Sequence, residues 1–119
     1  MSDAAPNSSD GNQPAAQLDP VSVFFALGSK VRWPIIQLLA DGTPRTATDV
    51  ASALGRDFDG VSKHLKLMAE AGVVLSELGD DRRYVFFSIP PENRREAGLV
   101  NYGICTIRVS TVKVAVAKD

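Results

Sequence analysis

Two short amphipathic helices between residues 46 and 72 constrain this chain more than any other feature of its sequence. Thr46 and Asp49 stand three residues apart, the spacing of a capping box, and predict the start of a helix that Gly55 ends. A second helix follows the short link 56–58 and ends at Gly72. Its apolar residues recur at helical spacing on one side: Val61, Leu65 and Met68.

After Gly72 the pattern changes from helical to strand-like. Two β-rich runs, 73–78 and 82–89, flank a Gly-Asp turn and predict a β-hairpin. Two helices joined by a tight glycine-containing link and followed by a hairpin are typical of a helix-turn-helix with a wing. A small α+β domain whose helices merely pack together has the same order of elements, so topology alone does not decide between the two interpretations.

Two further helices are predicted before this unit. Asp19 and Pro20 provide an N-cap and a proline at the first helical position, and Gly28 ends that helix. Ser29 begins another helix, in which Pro34 predicts a kink or a late start. The apolar residues of this second helix have nearly helical spacing: Val31, Ile35, Leu38 and Leu39.

The chain divides into three segments. Residues 1–17 contain no Val, Ile, Leu, Phe, Trp or Tyr, so we expect a disordered N-terminal tail. Residues 18–90 form the predicted winged helix-turn-helix domain, and 91–119 form a C-terminal extension. In the extension, Gly98 ends a short helical segment, and the β-branched residues from Tyr102 onwards predict a strand. The expected fold class is therefore α+β and mostly helical, with a β-hairpin wing and a β-rich C-terminal extension.

The net charge conceals an uneven distribution. The 119 residues contain 13 Lys+Arg and 14 Asp+Glu, a formal charge of −1, which by itself argues against a nucleic-acid partner. Three of the acids, Asp3, Asp10 and Asp19, lie in the first 19 residues, where there is no Lys or Arg. The remaining residues carry 13 basic and 11 acidic groups, a net charge of +2. The part of the chain that is predicted to fold is therefore mildly basic.

The outer face of the fourth predicted helix carries the residue types that a helix in the DNA major groove needs. Small polar residues near its start permit close approach to base edges, and a carboxylate there can accept a hydrogen bond from cytosine N4: Gly60, Ser62 and Asp59. Cations on this helix, on the link before it and on the wing can bind phosphates or reach the minor groove: Arg56, Lys63, Lys66, Arg82 and Arg83. Most such cations only form a solvated surface, but their grouping on two adjacent elements favours DNA binding.

Three stretches resemble the ArsR-type (arsenical-repressor-like) family of winged-helix regulators. Residues 26–39, ALGSKVRWPIIQLL, resemble the opening of that family, and residues 61–74, VSKHLKLMAEAGVV, resemble its V-S-[RK]-H-L-K-x-L-x-x-A-G-L-V signature. Residues 82–87, RRYVFF, stand where the family has its wing strand. The resemblance implies a dimeric transcriptional regulator whose recognition helix carries into the major groove Asp59, Gly60, Ser62, Lys63 and His64. It places His64 near the DNA backbone, whereas a lone His beside an apolar face is more often a packed or capping residue.

The sequence departs from the family's metal sensors. Those proteins have a cysteine pair on the helix before the recognition helix, and residues 46–52 here contain no thiol. The chain has one Cys, Cys105, and one His, too few for a structural zinc site or an intrachain disulfide. We expect no metal, no cofactor and no evident small-molecule effector. Cys105 is expected to be buried as a small apolar residue, with a disulfide between two protomers as the less favoured alternative.

The C-terminal extension differs from the dimerisation helix that usually ends family members. A long bare strand would invite aggregation, so we expect this one to pair with the wing hairpin or with its counterpart across a two-fold axis. Candidate dimer-interface residues are Phe24, Phe25, Tyr102, Ile104 and Ile107.

The residues also exclude several classes of protein. No nucleophile-histidine-carboxylate order and no phosphate-binding glycine loop is present, so we expect no catalytic residues and no enzymatic activity. The chain shows neither a signal peptide nor an apolar run of membrane-spanning length, which predicts a cytoplasmic protein without a membrane partner. The favoured function is a dimeric, sequence-specific DNA-binding regulator that represses by blocking polymerase access. The alternative is a winged helix that binds other proteins through its wing and C-terminal strand.

Overall fold

A computed structural model of the protein describes residues 18–110. The helices are α1 (Pro20–Leu27), α2 (Arg32–Leu39), α3 (Ala47–Leu54) and α4 (Phe58–Ala71). The strands are β1 (Leu75–Leu78), β2 (Val85–Ser88), β3 (Leu99–Asn101) and β4 (Thr106–Arg108), and a single 3-10 turn covers Pro91–Asn93. The predicted tail at 1–17 and the alternating valines after residue 110 lie outside the described residues.

Side-chain caps and glycines set the helix boundaries much as the sequence predicts. The Asp19 carboxylate accepts the Ser22 amide at 3.0 Å at the start of α1. At α3, Thr46 and Asp49 exchange hydrogen bonds of 3.1 Å, so the capping box is confirmed. Gly55 and Gly72, which follow α3 and α4, have φ angles of +64° and +86°, the left-handed conformation in which a side chain would be strained.

The proline in α2 produces a late start rather than a kink. The helix begins at Arg32, so Pro34 lies in its first turn, where proline is tolerated. The Ser29 hydroxyl accepts the amides of Val31 and Arg32, both at 3.1 Å. Ser29 thus caps the turn that leads into α2, whereas the helix itself begins three residues later than predicted.

The core forms where the apolar faces of the four helices meet the C-terminal extension. The three residues predicted on the inner side of α4, Val61, Leu65 and Met68, are all buried. They pack with the buried faces of α1, α2 and α3 and with residues that follow the wing, including Ile89, Val100 and Tyr102. Burial of this face is what fixes α4 with its opposite side towards solvent.

The predicted wing is an antiparallel hairpin. Strands β1 and β2 pair from Leu75 opposite Ser88 to Leu78 opposite Val85, and the turn between them spans 79–84. Arg45, in the loop before α3, exchanges two backbone hydrogen bonds with Phe87 of β2, at 2.9 and 2.7 Å. These bonds tie the wing to the start of α3, so the hairpin is attached to the helical unit at both of its ends.

The C-terminal extension differs from the expected long strand. It folds back on itself as a second antiparallel hairpin, in which β3 pairs with β4 from Leu99 opposite Arg108 to Asn101 opposite Thr106. The Asn101 side-chain oxygen accepts the Gly103 amide at 2.8 Å, and Gly103 has a φ of +90°. The strand predicted from Tyr102 onwards therefore begins only at Thr106, because residues 102–105 form this turn, and β3 lies before the predicted strand. Within residues 18–110 the extension therefore pairs with itself and not with the wing.

None of the helices in the described part of the chain has both the length and the apolar character needed to cross a membrane.

Candidate nucleic-acid interface

An open groove separates α4 from the wing, and the start of α3 closes one end of it. Its volume is about 660 Å³. Helix α4 contributes Phe58, Ser62, Lys66 and Glu70, spaced four residues apart and therefore stacked along one side of the helix. The wing contributes Arg83, Tyr84 and Val85, and the first turn of α3 contributes Thr48. The groove combines apolar, hydroxyl and cationic groups.

Three of the residues predicted to bind DNA line this groove together: Ser62, Lys66 and Arg83. Asp59 and Lys63 are exposed on the solvent-facing side of α4, directly beside it. Arg82 is exposed in the turn at the tip of the wing. These six residues therefore share one surface of the molecule, composed of α4 and the wing.

The other three predicted residues lie on the opposite flank of α4. Arg56, Gly60 and His64 line a small cleft of about 100 Å³ with Val31 and Asp57. The Asp57 carboxylate caps α4 by accepting the Gly60 amide at 2.8 Å. A side chain at position 60 would crowd that carboxylate, because its Cβ would lie 3.1 Å from Asp57 Oδ2. Gly60 thus makes room for the cap, a local role that the sequence analysis did not assign.

His64 is held by a buried arginine. The Arg32 guanidinium donates to His64 Nδ1 at 3.0 Å, and it also donates to the carbonyl oxygens of Ala26 at 2.9 Å and Phe25 at 2.8 Å. It further stacks over the Phe25 ring, with 4.9 Å between its central carbon and the ring centroid. Partial burial of the imidazole, together with the charges of Arg32 and Arg56, lowers the pKa of His64. Because Nδ1 accepts from Arg32, the imidazole is neutral and its proton lies on Nε2.

On the wing, Arg83 is fixed by its own turn. Its guanidinium donates to both carboxylate oxygens of Asp81, with a shortest distance of 2.7 Å, and stacks over the Tyr84 ring at 5.8 Å. The hydrogen bonds lower the pKa of Asp81 and raise that of Arg83. Both groups are exposed, so the pair positions the guanidinium more than it stabilises the fold.

The predicted dimer-interface residues fall into two groups. Phe24 and Phe25 are 54% and 62% exposed on α1, beside Val21. Tyr102 is fully buried, and its hydroxyl donates to the Val73 carbonyl oxygen at 2.9 Å. Placing Tyr102 at an interface is therefore wrong, because its side chain fills the core of its own protomer. Ile104 and Ile107 are half-buried against that same core.

Phe58 and Arg32 are the neighbours of the predicted site that sequence reasoning missed. Phe58 stands one helical turn before Ser62 and two before Lys66, so its place on the same side of α4 was visible in the spacing. Arg32 gave no such signal, since its partner His64 is 32 residues away. In residues 18–110, no three His, Cys, Asp or Glu side chains gather closely enough to hold a metal ion.

Comparison with known proteins agrees with this geometry. A family model described as a helix-turn-helix domain matches residues 27–77. The structure is similar to the solution NMR structure of the homodimeric winged helix-turn-helix DNA-binding domain, fragment 1–100, of a possible ArsR-family transcriptional regulator from Mycobacterium bovis. The similarity has a TM-score of 0.57 and 26% sequence identity, and it covers 74% of this chain and 80% of the other. A search of curated protein sequences finds no match. Residues 27–77 thus form a helix-turn-helix domain, and the mixed α+β fold, with four helices and two small hairpins, is a winged helix-turn-helix.

Proposed function

We propose that this protein is a sequence-specific DNA-binding transcriptional regulator of the ArsR type that binds as a homodimer and represses by blocking polymerase access. The observation that carries the proposal is the shared surface of α4 and the wing, where Ser62, Lys66 and Arg83 line one groove. A winged helix-turn-helix uses these two elements to contact adjacent grooves of a duplex. The Mycobacterium bovis domain, whose fold is similar, is described as DNA-binding and homodimeric.

The charges on this surface support a polyanionic partner. Lys63, Lys66, Arg82 and Arg83 are gathered on α4 and the wing, and phosphate contacts of this kind supply most of the affinity for any duplex. Glu70 also lines the groove, towards the C-terminal end of α4 and away from the helix start that approaches base edges. Lys63 and Lys66 thus lie between the two acidic residues of α4, Asp59 in the first turn and Glu70 near the end.

The proposed contacts divide into positioning and readout. Lys63 and Lys66 bind phosphates and fix the register of the helix, while Arg82 and Arg83 contact the adjacent backbone or minor groove. Ser62 and Asp59, in the first turns of α4, contact base edges, and Asp59 accepts from cytosine N4. Arg56 lies on the other flank of α4 and would contact the phosphates of the opposite side of the groove. His64 contributes indirectly, since its bond to Arg32 holds α4 against α1.

The dimer is proposed through α1. Val21, Phe24 and Phe25 form an apolar stripe on α1 that is more than half exposed, with exposures from 54% to 74%. Two such stripes related by a two-fold axis would cover each other. Half-sites one helical turn apart would then match the symmetry of the protein.

DNA binding is tested by fluorescence anisotropy with a labelled random-core duplex library at low salt. Lys63→Ala and Arg83→Ala should each weaken binding several-fold for all sequences, since each removes a phosphate contact. Arg95→Ala is the matched control, because Arg95 is an exposed cation on the C-terminal extension, outside the proposed surface. Equal loss in all three variants would contradict the proposed surface. Absence of duplex binding by the wild type would favour the protein-interaction module instead.

The dimer is tested by analytical ultracentrifugation. Phe24→Ser should shift the protein towards the monomer, because it places a hydroxyl at the centre of the apolar stripe. Leu78→Ser is the matched control, since Leu78 on β1 is similarly exposed, at 55% against 54% for Phe24. A Phe24→Ser protein that stays as dimeric as the control would contradict the α1 interface.

A further inference from the structure

We infer that Phe58 is a specificity-determining residue that contacts the C5-methyl group of a thymine in the major groove. The inference rests on the proposed DNA binding and deepens it, because it assigns a base preference to a side chain that neither the sequence analysis nor the comparisons associate with DNA.

The position of Phe58 is unusual for a large aromatic residue. It is the first residue of α4 and is 50% exposed, while Phe87 of the wing, which lines the same groove from the other side, is nearly buried. Phe58 lies in the groove in line with Ser62 and Lys66. A recognition helix inserts its N-terminal turns most deeply, so the first residue on this side faces base edges rather than phosphates.

The chemistry of the side chain selects its partner on the DNA. The floor of the major groove presents donors and acceptors from every base, and the thymine methyl is its one apolar group. A phenyl ring can neither donate nor accept the hydrogen bonds that the other edges require. Contact with the methyl group removes apolar surface of both partners from water, whereas contact with a polar edge would leave that edge without its hydrogen bonds.

The wing side of the groove is also partly apolar. Tyr84 and Val85 of the wing provide a further exposed apolar surface opposite α4, at 49% and 38% exposure, and both line the groove with Phe58. The polar contacts lie further along: the Ser62 hydroxyl comes one turn later and the Lys66 ammonium two turns later. Along α4 the lining of the groove thus changes from the apolar ring of Phe58 to the polar and charged groups of Ser62, Lys66 and Glu70.

The test combines a DNA change with a protein change. Sequences bound by the wild type are selected from a random-core duplex library, and each thymine of a selected sequence is replaced in turn by deoxyuridine, which lacks only the methyl group. Replacement of one particular thymine in each half-site should lower the affinity of the wild-type protein for the duplex about fourfold. This is the effect expected for one buried methyl group. With Phe58→Ala the same replacement should have no effect, and Phe58→Leu, which remains apolar, should keep part of the discrimination.

The outcomes separate this inference from the proposed function. If deoxyuridine weakens Phe58→Ala as much as the wild type, or if no position responds in the wild type, the thymine contact is contradicted while DNA binding stands. If the wild type binds no duplex at low salt, the proposed function fails first. Should Phe58→Ala be too unstable to measure, Phe58→Leu takes its place, and a preference for thymine over deoxyuridine as large as that of the wild type would contradict the contact.

Discussion

At the scale of single residues, Arg32 shows how an isolated charge is accommodated in this fold. Within residues 18–110 no carboxylate pairs with its buried guanidinium, which donates to two carbonyls of the last turn of α1 and to His64 of α4. The C-terminal end of a helix is the negative end of its dipole, so these carbonyls suit a cation. Sequence reasoning could not find this arrangement, because it depends on contacts between residues far apart in the chain.

The first prediction concerns the pH dependence of stability. The pKa of His64 is lowered in the native state, so the unfolded chain, in which the pKa is near its ordinary value of about 6.5, binds the proton more readily. The free energy of unfolding should therefore be at its full value above about pH 6.5 and decrease as the pH falls below it. Urea denaturation at a series of pH values between 5 and 8 measures this.

His64→Asn is the matched variant for that measurement. The asparagine side-chain oxygen can accept from Arg32 near the position of Nδ1, and it does not titrate in this range. Subtracting the pH profile of the variant from that of the wild type should leave a decrease below about pH 6.5. Superimposable profiles would show that His64 does not carry the effect.

The second prediction concerns the buried hydroxyl of Tyr102. Burial raises the pKa of this phenol, so it remains a donor to the Val73 carbonyl oxygen at all pH values in ordinary use. Tyr102→Phe leaves that carbonyl without a partner and should lower the free energy of unfolding by about 1–3 kcal/mol. Tyr84→Phe, at an exposed tyrosine of the wing, should change it little. Equal effects of the two substitutions in thermal denaturation would contradict the role of the buried bond.

At the scale of elements, sequence signals that act over a few residues predicted more of the structure than signals that depend on residues far apart in the chain. The starts of α1 and α3, the glycines after α3 and α4, and the wing hairpin follow from caps, turns and periodicity, which act over a few residues. The hairpin of the C-terminal extension could not be predicted from such local signals, because its β-branched residues suit one strand or two equally well. The turn at Asn101 and Gly103 decides between them, and its signal is weak beside six apolar neighbours.

The third prediction tests the strongest of these local signals. Thr46→Ala removes the hydroxyl that accepts the Asp49 amide and should destabilise the protein by about 1 kcal/mol. Thr48→Ala, two residues later and exposed inside α3, should be neutral or slightly stabilising because alanine favours the helix. Chemical denaturation of both variants gives the comparison, and a destabilised Thr48→Ala beside an unchanged Thr46→Ala would contradict the capping box.

At the scale of the whole molecule, the distribution of charge matters more than its sum. A chain with a formal charge of −1 nevertheless presents a cluster of cations on α4 and the wing. The same surface holds Asp59 and Glu70, so the electrostatic attraction for any duplex is modest, and specificity depends on dimer geometry and on a few base contacts. The sequence indicated which side of α4 is exposed, but only the fold shows that the wing shares its groove.

The salt dependence of duplex binding tests the central claim most directly. If α4 and the wing bind phosphates, the logarithm of the association constant should fall linearly with the logarithm of the salt concentration, with a slope of roughly −4 for each bound protomer. Lys63→Ala should make the slope shallower by about one, and Arg95→Ala should leave it unchanged. A slope near zero, or no binding to any duplex at the lowest salt concentration, would contradict the account.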